Sequence, residues 1–334
     1  MDLSLFFAGT GGSVPSSKRG LPSVLVRCGG ERLLFDCGEG TQRQLMRMGM
    51  FGDFDSVFIT HFHADHWLGL PGMLKSLALR DREQPLTVYG PSGMRDLMGA
   101  MRIVYGQLPF ELGVVELEPA QTVDRDGYEI AAIPVNHGDR PSFGYALVEA
   151  PRLGEFNPQL AEELGVTPGE DFGRLQRGET VAGVRPDQVM GPEREGRKVV
   201  LSGDTAPCET LAIAAYRADL LVHEATFSEE EAERAHETSH STARQAAELA
   251  RDAEVRVLAI IHISTRYAGA ELRDEARAVF AATEAPRDFD AIEVPFPERG
   301  PAKLVRSPRR RASPPGSEQA SDAPAGDAEV VSRS

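Results

Sequence analysis

Four groups able to ligate a metal fall within six residues, His61-Phe62-His63-Ala64-Asp65-His66. They follow an apolar run, Ser56 to Thr60, that reads as a strand, and they precede a helix that Trp67 to Gly69 can open. Histidines at i and i+2 on an extended or turning backbone project to one side, and a carboxylate and a third imidazole one turn later reach toward a second ion. Imidazole nitrogen with carboxylate oxygen suits Zn²⁺, with Mn²⁺ or Fe²⁺ as alternatives. A lone histidine after a strand is more often a surface or satisfied core residue. Three with an aspartate at this spacing reverse that reading.

Further ligands are expected at other strand ends, because a sandwich collects its functional loops along one edge. His137 follows the run Ile130 to Val135, Asp204 follows Val199 to Leu201, and His262 sits near the end of Val257 to Ile263. Glu224 after Leu220 to Val222, and His240 just before a helix from Thr242, form a carboxylate and imidazole pair of the kind that orients a general acid. On residues alone, a strand-end charge and a polar residue near a Ser241 cap are the favoured reading of this pair, with the functional pair as the alternative. His223 alternates with apolar residues and reads as structural. His236 lies in the charged stretch Glu229 to Glu237, a solvated face.

The elements that must position these groups are short runs rich in Val, Ile, Leu and Phe: Leu3 to Phe7, Ser23 to Arg27, Arg32 to Phe35, Ser56 to Thr60, Leu86 to Tyr89, Tyr128 to Val135, Val199 to Leu201, Leu220 to Val222 and Val257 to Ile263. Helical spacing appears at Thr41 to Met50, Trp67 to Leu79, Arg95 to Tyr105, Thr242 to Asp252 and Glu271 to Ala282. A layered α/β sandwich follows. Residues 151–196 carry too many Gly and Pro for core elements and are expected to form an inserted, extended arm. From about 299 to 334, Pro, Ser, Ala and Gly dominate, and disorder is expected.

The 334-residue chain has a formal net charge of −15, which argues against a protein that coats nucleic acid nonspecifically. It leaves room for a nucleic-acid enzyme with a local positive surface or metal ions in an acidic site. Cys28, Cys37 and Cys208 are odd in number and lack CxxC spacing, so they read as buried thiols. No apolar run approaches the roughly 18 residues of a membrane span, and the first residues lack the charged region of a signal peptide. A cytoplasmic location is expected.

Taken together, the ligand residues resemble the metallo-β-lactamase superfamily, in which His-x-His-x-Asp-His is followed by a distant His, an Asp and a final His. The match runs over roughly residues 1–298. The resemblance implies a four-layer αββα sandwich and a two-metal site. One zinc would be held by His61, His63, His137 and Asp204, the other by Asp65, His66, Asp204 and His262. Five segments narrow it to ribonuclease Z, short form: Gly9-Thr10-Gly11-Gly12 with Val14-Pro15-Ser16, Leu34 to Gln42, His223-Glu224-Ala225-Thr226, His240-Ser241-Thr242-Ala243, and His262 to Tyr267.

That resemblance implies an endonuclease that cuts the 3′ trailer from precursor tRNA, with 3′-hydroxyl and 5′-phosphate products. Asp65 would take the proton of the attacking water, and His240, oriented by Glu224, would protonate the leaving oxygen. It also implies a homodimer and a flexible arm that grips tRNA, matched by residues 151–196. Within those bounds nine acidic residues face five arginines, or seven basic residues if Arg197 and Lys198 are included, so the arm is not electropositive by composition. Lys18, Arg19 and Arg266 are the basic residues near the site expected to meet phosphates, and Arg309-Arg310-Arg311 in the tail can touch RNA or simply stay solvated. The rival readings are a hydrolase of the same fold acting on small phosphodiesters, arylsulfates or thioesters, and a metal-free RNA-binding relative.

Overall fold

The computed structural model describes residues 2–308. Two mixed sheets face each other. The first has eight strands in the order β15-β14-β1-β2-β3-β4-β5-β6. These are β1 Leu3–Gly9, β2 Ser23–Cys28, β3 Glu31–Phe35, β4 Ser56–Phe58, β5 Leu86–Gly90, β6 Leu112–Glu116, β14 Ala291–Glu293 and β15 Lys303–Val305. The second has seven in the order β13-β12-β11-β10-β9-β8-β7. Its members are β7 Thr122–Arg125, β8 Tyr128–Pro134, β9 Phe143–Glu149, β10 Lys198–Leu201, β11 Leu220–Glu224, β12 Leu258–Ile261 and β13 Thr283–Glu284.

Apolar side chains from both sheets form the middle of the sandwich. Phe58 stacks between Phe35 and Tyr89 at 5.0 and 4.6 Å, and Tyr145 of the second sheet meets Phe58 edge-on at 5.3 Å. The Tyr145 hydroxyl donates to the Ile59 carbonyl at 2.7 Å, so a fully buried ring ties the sheets together next to the ligand-bearing loop. Helices α1 Thr41–Met48, α3 Gly69–Ala78 and α4 Met94–Tyr105 cover the outer face of the first sheet. The second is covered by α8 Glu209–Ala215, α10 Ala243–Asp252 and α11 Gly269–Arg277. This is the four-layer αββα arrangement.

α10 shows how local signals serve the site. Its buried face is Ala243, Ala246, Ala247 and Ala250, small residues at helical spacing that let it lie close on β11 and β12. Thr242 accepts from the Gln245 N–H while the Gln245 side chain accepts from the Thr242 N–H, a capping box contributing about 1 kcal/mol. The helix is therefore capped at a defined residue, Thr242, two positions after His240.

Two expectations need correction. Residues 151–196 are not an extended strand of punctuation. They contain three short helices, α5 Pro158–Glu163, α6 Glu170–Gln176 and α7 Pro186–Val189, around a small core of Ala161, Val166, Leu175, Val181, Val184 and Val189. Three of their Gly and Pro residues mark helix starts: Pro158 follows an Asn157 cap, Gly169 precedes α6, and Pro186 opens α7. The expected boundary at 298 also falls short. Lys303–Val305 pairs antiparallel with β14 and closes one edge of the first sheet, so at least this part of 299–308 is ordered. The Arg309-Arg310-Arg311 cluster lies outside the described residues.

Candidate functional site

Five of the loops that leave strand ends meet along one edge of the sandwich. β4 delivers Thr60, His61 and His63, and the four-residue helix α2, Ala64–Trp67, carries Asp65 and His66. His137 follows β8, Asp204 follows β10, Glu224 ends β11, and His262 follows β12 in a left-handed backbone conformation with φ 56°. Such a conformation costs about 1–3 kcal/mol for a residue with a side chain, and here it turns the imidazole inward. Gly12 makes that turn possible from the other side, since a Cβ there would sit 2.5 Å from the His262 ring.

The side chains converge on one atom. Asp204 Oδ2 lies 3.2 Å from His66 Nε2, 3.2 Å from His262 Nε2, 3.8 Å from His61 Nε2 and 3.9 Å from His137 Nε2. Asp65 Oδ2 is 3.6 Å from His66 Nε2 and 3.4 Å from His262 Nε2, and accepts the Ser13 N–H at 2.8 Å. Potential ligand atoms fall into the sets His61, His63, His137 and Asp204; Asp65, His66 and His262; and Asp204, His240 and His262.

Each converging imidazole is oriented through its other nitrogen. His61 Nδ1 donates to Thr60 Oγ1 at 3.0 Å, His66 Nδ1 to Asp36 Oδ2 at 2.7 Å, His137 Nδ1 to the Ser239 carbonyl at 2.8 Å, and His262 Nδ1 to Thr226 Oγ1 at 2.8 Å. The Thr60 and Thr226 hydroxyls in turn donate to Asp36 and Glu224. Four Nε2 atoms are thereby left facing the centre, the arrangement by which buried metal ligands are fixed in one tautomer.

Two observations show that these residues fit divalent cations. His61 Nε2 is buried with no hydrogen-bond partner, a cost of about 1–3 kcal/mol that a bound cation removes. His63 Nδ1 also faces His137 Nε2 at 3.0 Å, and His66 Nε2 faces His262 Nε2 at 3.3 Å. Ring nitrogens that close need a proton or a cation among them.

The charges agree. Burial disfavours the Asp204 carboxylate, but the His262 and His66 imidazoles outweigh it and hold the group far below the usual carboxylate range. At Asp65 burial is likewise overcome, by the His262 hydrogen bond and the His66 charge, and the group is held low. Burial, reinforced by His66, pushes His61 well below its ordinary value, which keeps its Nε2 lone pair open. His66 goes the other way, because Asp204 and Asp36 outweigh its burial. An acidic centre thus draws a positive charge onto itself.

Beside this centre His240 Nδ1 donates to Glu224 Oε1 at 2.7 Å. Burial works against the charged ring, yet the Glu224 charge and hydrogen bond raise His240 to about 9. Glu224, buried but countered chiefly by His240, is held below its ordinary value. The His240 ring lies 4.8 Å from His137 and 5.4 Å from His262, which places a protonated imidazole at the rim of the cluster.

Two sequence families match parts of the chain, one described as "Anti-Pycsar protein Apyc1" over residues 3–148 and one as "Beta-lactamase superfamily domain" over residues 167–263. The ribonuclease Z of Natronomonas pharaonis is 46% identical over 308 residues, covering 89% of this chain and 100% of the relative. That of Gemmatimonas aurantiaca is 44% identical, covering 89% and 98%. The chain belongs to the ribonuclease Z family. The crystal structure of human tRNase Z, short form, superposes with a TM-score of 0.65 at 29% identity, over 88% of this chain and 100% of that one.

For this member of the ribonuclease Z family, the structure brings His61, His63, Asp65, His66, His137, Asp204, His262, Glu224 and His240 into one cluster. His223 is buried, with Nδ1 donating to the Glu224 carbonyl, consistent with a structural part. Arg19 does not fit the expected contact with phosphate. Its guanidinium is largely buried and donates to Thr10 Oγ1 and the Pro286 carbonyl, which hold it in the body. Arg266 is partly exposed but paired with Glu231 at 2.7 Å. Asp36, Thr60 and Thr226 were not singled out as site residues. Asp36 and Thr226 lie within segments that carry the resemblance, and the strand-end position of Asp36 after Phe35 is the signal that could find it.

Proposed function

We propose that this chain is a zinc-dependent endoribonuclease that removes the 3′ trailer from precursor tRNA, leaving a 3′-hydroxyl on the tRNA and a 5′-phosphate on the trailer. The observation that carries the reading is the set of four imidazole Nε2 atoms turned on Asp204 Oδ2 beside the Glu224 and His240 pair. The relatives named ribonuclease Z supply the substrate class.

In this proposal His61, His63, His137 and Asp204 hold one Zn²⁺, and Asp65, His66, Asp204 and His262 hold a second, with Mn²⁺ as the alternative metal. Two such cations, when bound, acidify an attacking water and neutralise charge growing on a phosphate oxygen. Asp65, whose Oδ2 faces His66 and His262, accepts the water proton. His240, with Nδ1 committed to Glu224, donates from Nε2 to the departing 3′ oxygen, and its raised pKa keeps it charged at neutral pH. The two sheets from β1 through β15 with their helices form the catalytic domain, and 151–196 forms the substrate-binding arm. A homodimer, on the family resemblance, and a cytoplasmic location complete the proposal. Among the described residues no helix is long and apolar enough to cross a membrane.

The test is a 3′-extended precursor tRNA incubated with the purified protein, with product ends mapped before and after chelation. Cleavage just after the discriminator nucleotide, lost on chelation and restored by zinc, is expected. A 5′-hydroxyl trailer, or cleavage indifferent to chelator, overturns the reading. Replacing residues 151–196 by a short linker should raise KM for precursor tRNA and spare bis-nitrophenyl phosphate; equal loss on both removes the arm's substrate-gripping role.

A further inference from the structure

A groove of about 840 Å³ lies beside the ligand cluster. Lys18, Arg19, Arg266, Arg273, Arg287 and Arg306 line it, and no Asp or Glu does. Arg19 is committed to the body. The acids that pair with the others stand off the lining: Glu231 holds Arg266, Asp274 holds Arg273, and Asp290 holds Arg287 and Arg306. Those four arginine side chains remain between 26% and 40% exposed. Lys18 has no ion pair or side-chain hydrogen bond among the described residues. In a chain of formal charge −15 such a lining repels cations and attracts a polyanion locally.

The groove is joined to the centre by two segments. Ile263, next to His262, lines it and is bridged to Gly11, and the Ser13 N–H that holds Asp65 lies on the same loop as Ser16, Ser17 and Lys18. On the opposite flank a smaller recess of about 230 Å³ is lined by His61, His63, His137, Arg140 and Thr238. Thr238 lies two residues from His240. The His240 ring lies nearer His137, which lines this recess, than His262, at 4.8 against 5.4 Å, so the strand that departs after protonation by His240 is assigned to the recess side and the strand that keeps the phosphate to the other.

We propose that the basic groove holds the single-stranded 3′ extension of the substrate, gripping its phosphates without reading bases. This rests on the ribonuclease reading above, which makes the tRNA body the departing strand and leaves the phosphate on the extension. A single strand offers a repeating charge and little fixed shape, and a row of cations on flexible side chains suits that.

The experiment compares two precursor tRNAs with the same body, one extended by a single nucleotide and one by about ten. The Lys18→Ala, Arg273→Ala double variant leaves the ligand cluster untouched, and its metal content and unfolding midpoint are measured alongside. KM for the long extension should rise about tenfold, with the slope of log KM against log salt reduced by about 1.4 for two lost phosphate contacts. The single-nucleotide substrate should change less than about twofold. Equal loss on both substrates assigns the groove to the tRNA body and overturns the proposal, as does no loss on either. Failure of the ribonuclease reading appears separately, as a parent enzyme that cleaves neither substrate. In that event, binding of a fluorescent single-stranded RNA of about ten nucleotides to parent and variant decides the groove: equal affinity overturns it.

Discussion

The seven-stranded sheet carries buried charge at both ends of its strands, and the two ends are built differently. At the far end Arg197, 2% exposed, sits beside β10 and reaches Glu149 of β9 at 2.5 and 2.7 Å, with its third nitrogen donating to the Val294 carbonyl. The Phe296 ring is held between the Arg152 and Arg197 guanidiniums at 3.7 and 4.1 Å, and Glu298 pairs with Arg152, so the root of the arm is fastened to the body. At the near end Asp204, 3% exposed, is surrounded by imidazoles whose inner nitrogens face one another. In the first arrangement Arg197 and Glu149 satisfy each other. The second is complete only with a cation added, and this difference separates a structural buried charge from a reactive one.

Removing the central group should break the contrast most sharply. Asp204→Ala is expected to abolish bound metal and lower cleavage by more than about a thousandfold, with a stable fold; elemental analysis beside a cleavage assay checks this, and retained zinc defeats it. At the other end the effect should be on folding. Glu149→Ala strands a buried guanidinium and should cost about 3–5 kcal/mol in denaturant unfolding, while zinc per folded molecule stays at the parent level. The double change Glu149→Leu, Arg197→Met should recover most of that loss.

His240→Ala sits between these cases. It should lower the rate by about 10²- to 10³-fold with metal content unchanged. The proton is needed on the ring, so the parent rate should hold through neutral pH and fall as pH rises through about 9, and the variant should lack that limb. An unchanged basic limb in the variant would reassign the proton donor. The smallest expected effect is at Asp36→Asn, which removes the charge behind His66 and should weaken zinc binding by about 10- to 100-fold in chelator competition. A shift in unfolding alone would make Asp36 merely structural.

The ligand cluster was legible because its signal is local: four donors in six residues, then single donors after apolar runs. The groups that orient it were not. Asp36, Thr60 and Thr226 are common residue types, and only strand pairing brings them behind His66, His61 and His262. β9 is not legible although it is buried, because Gly144 interrupts its apolar run. Gly144 is required there, because a Cβ would lie 2.7 Å from the Leu201 carbonyl oxygen. β15 is three residues long, and its extended form comes from pairing with β14 rather than from intrinsic preference. In the arm, Gly and Pro punctuate helices of only 6, 7 and 4 residues, so local punctuation hides a folded unit.

His66 and His262 stand 196 positions apart, and between them lies the arm with its separate small core. No early folding fragment contains both. The centre can form only after β4 and β12 are in their own sheets and the sheets have closed on Tyr145, and contacts that distant form slowly. Metal capture is therefore among the last events in the life of a newly made chain, and a loaded centre certifies that the whole sandwich has been assembled.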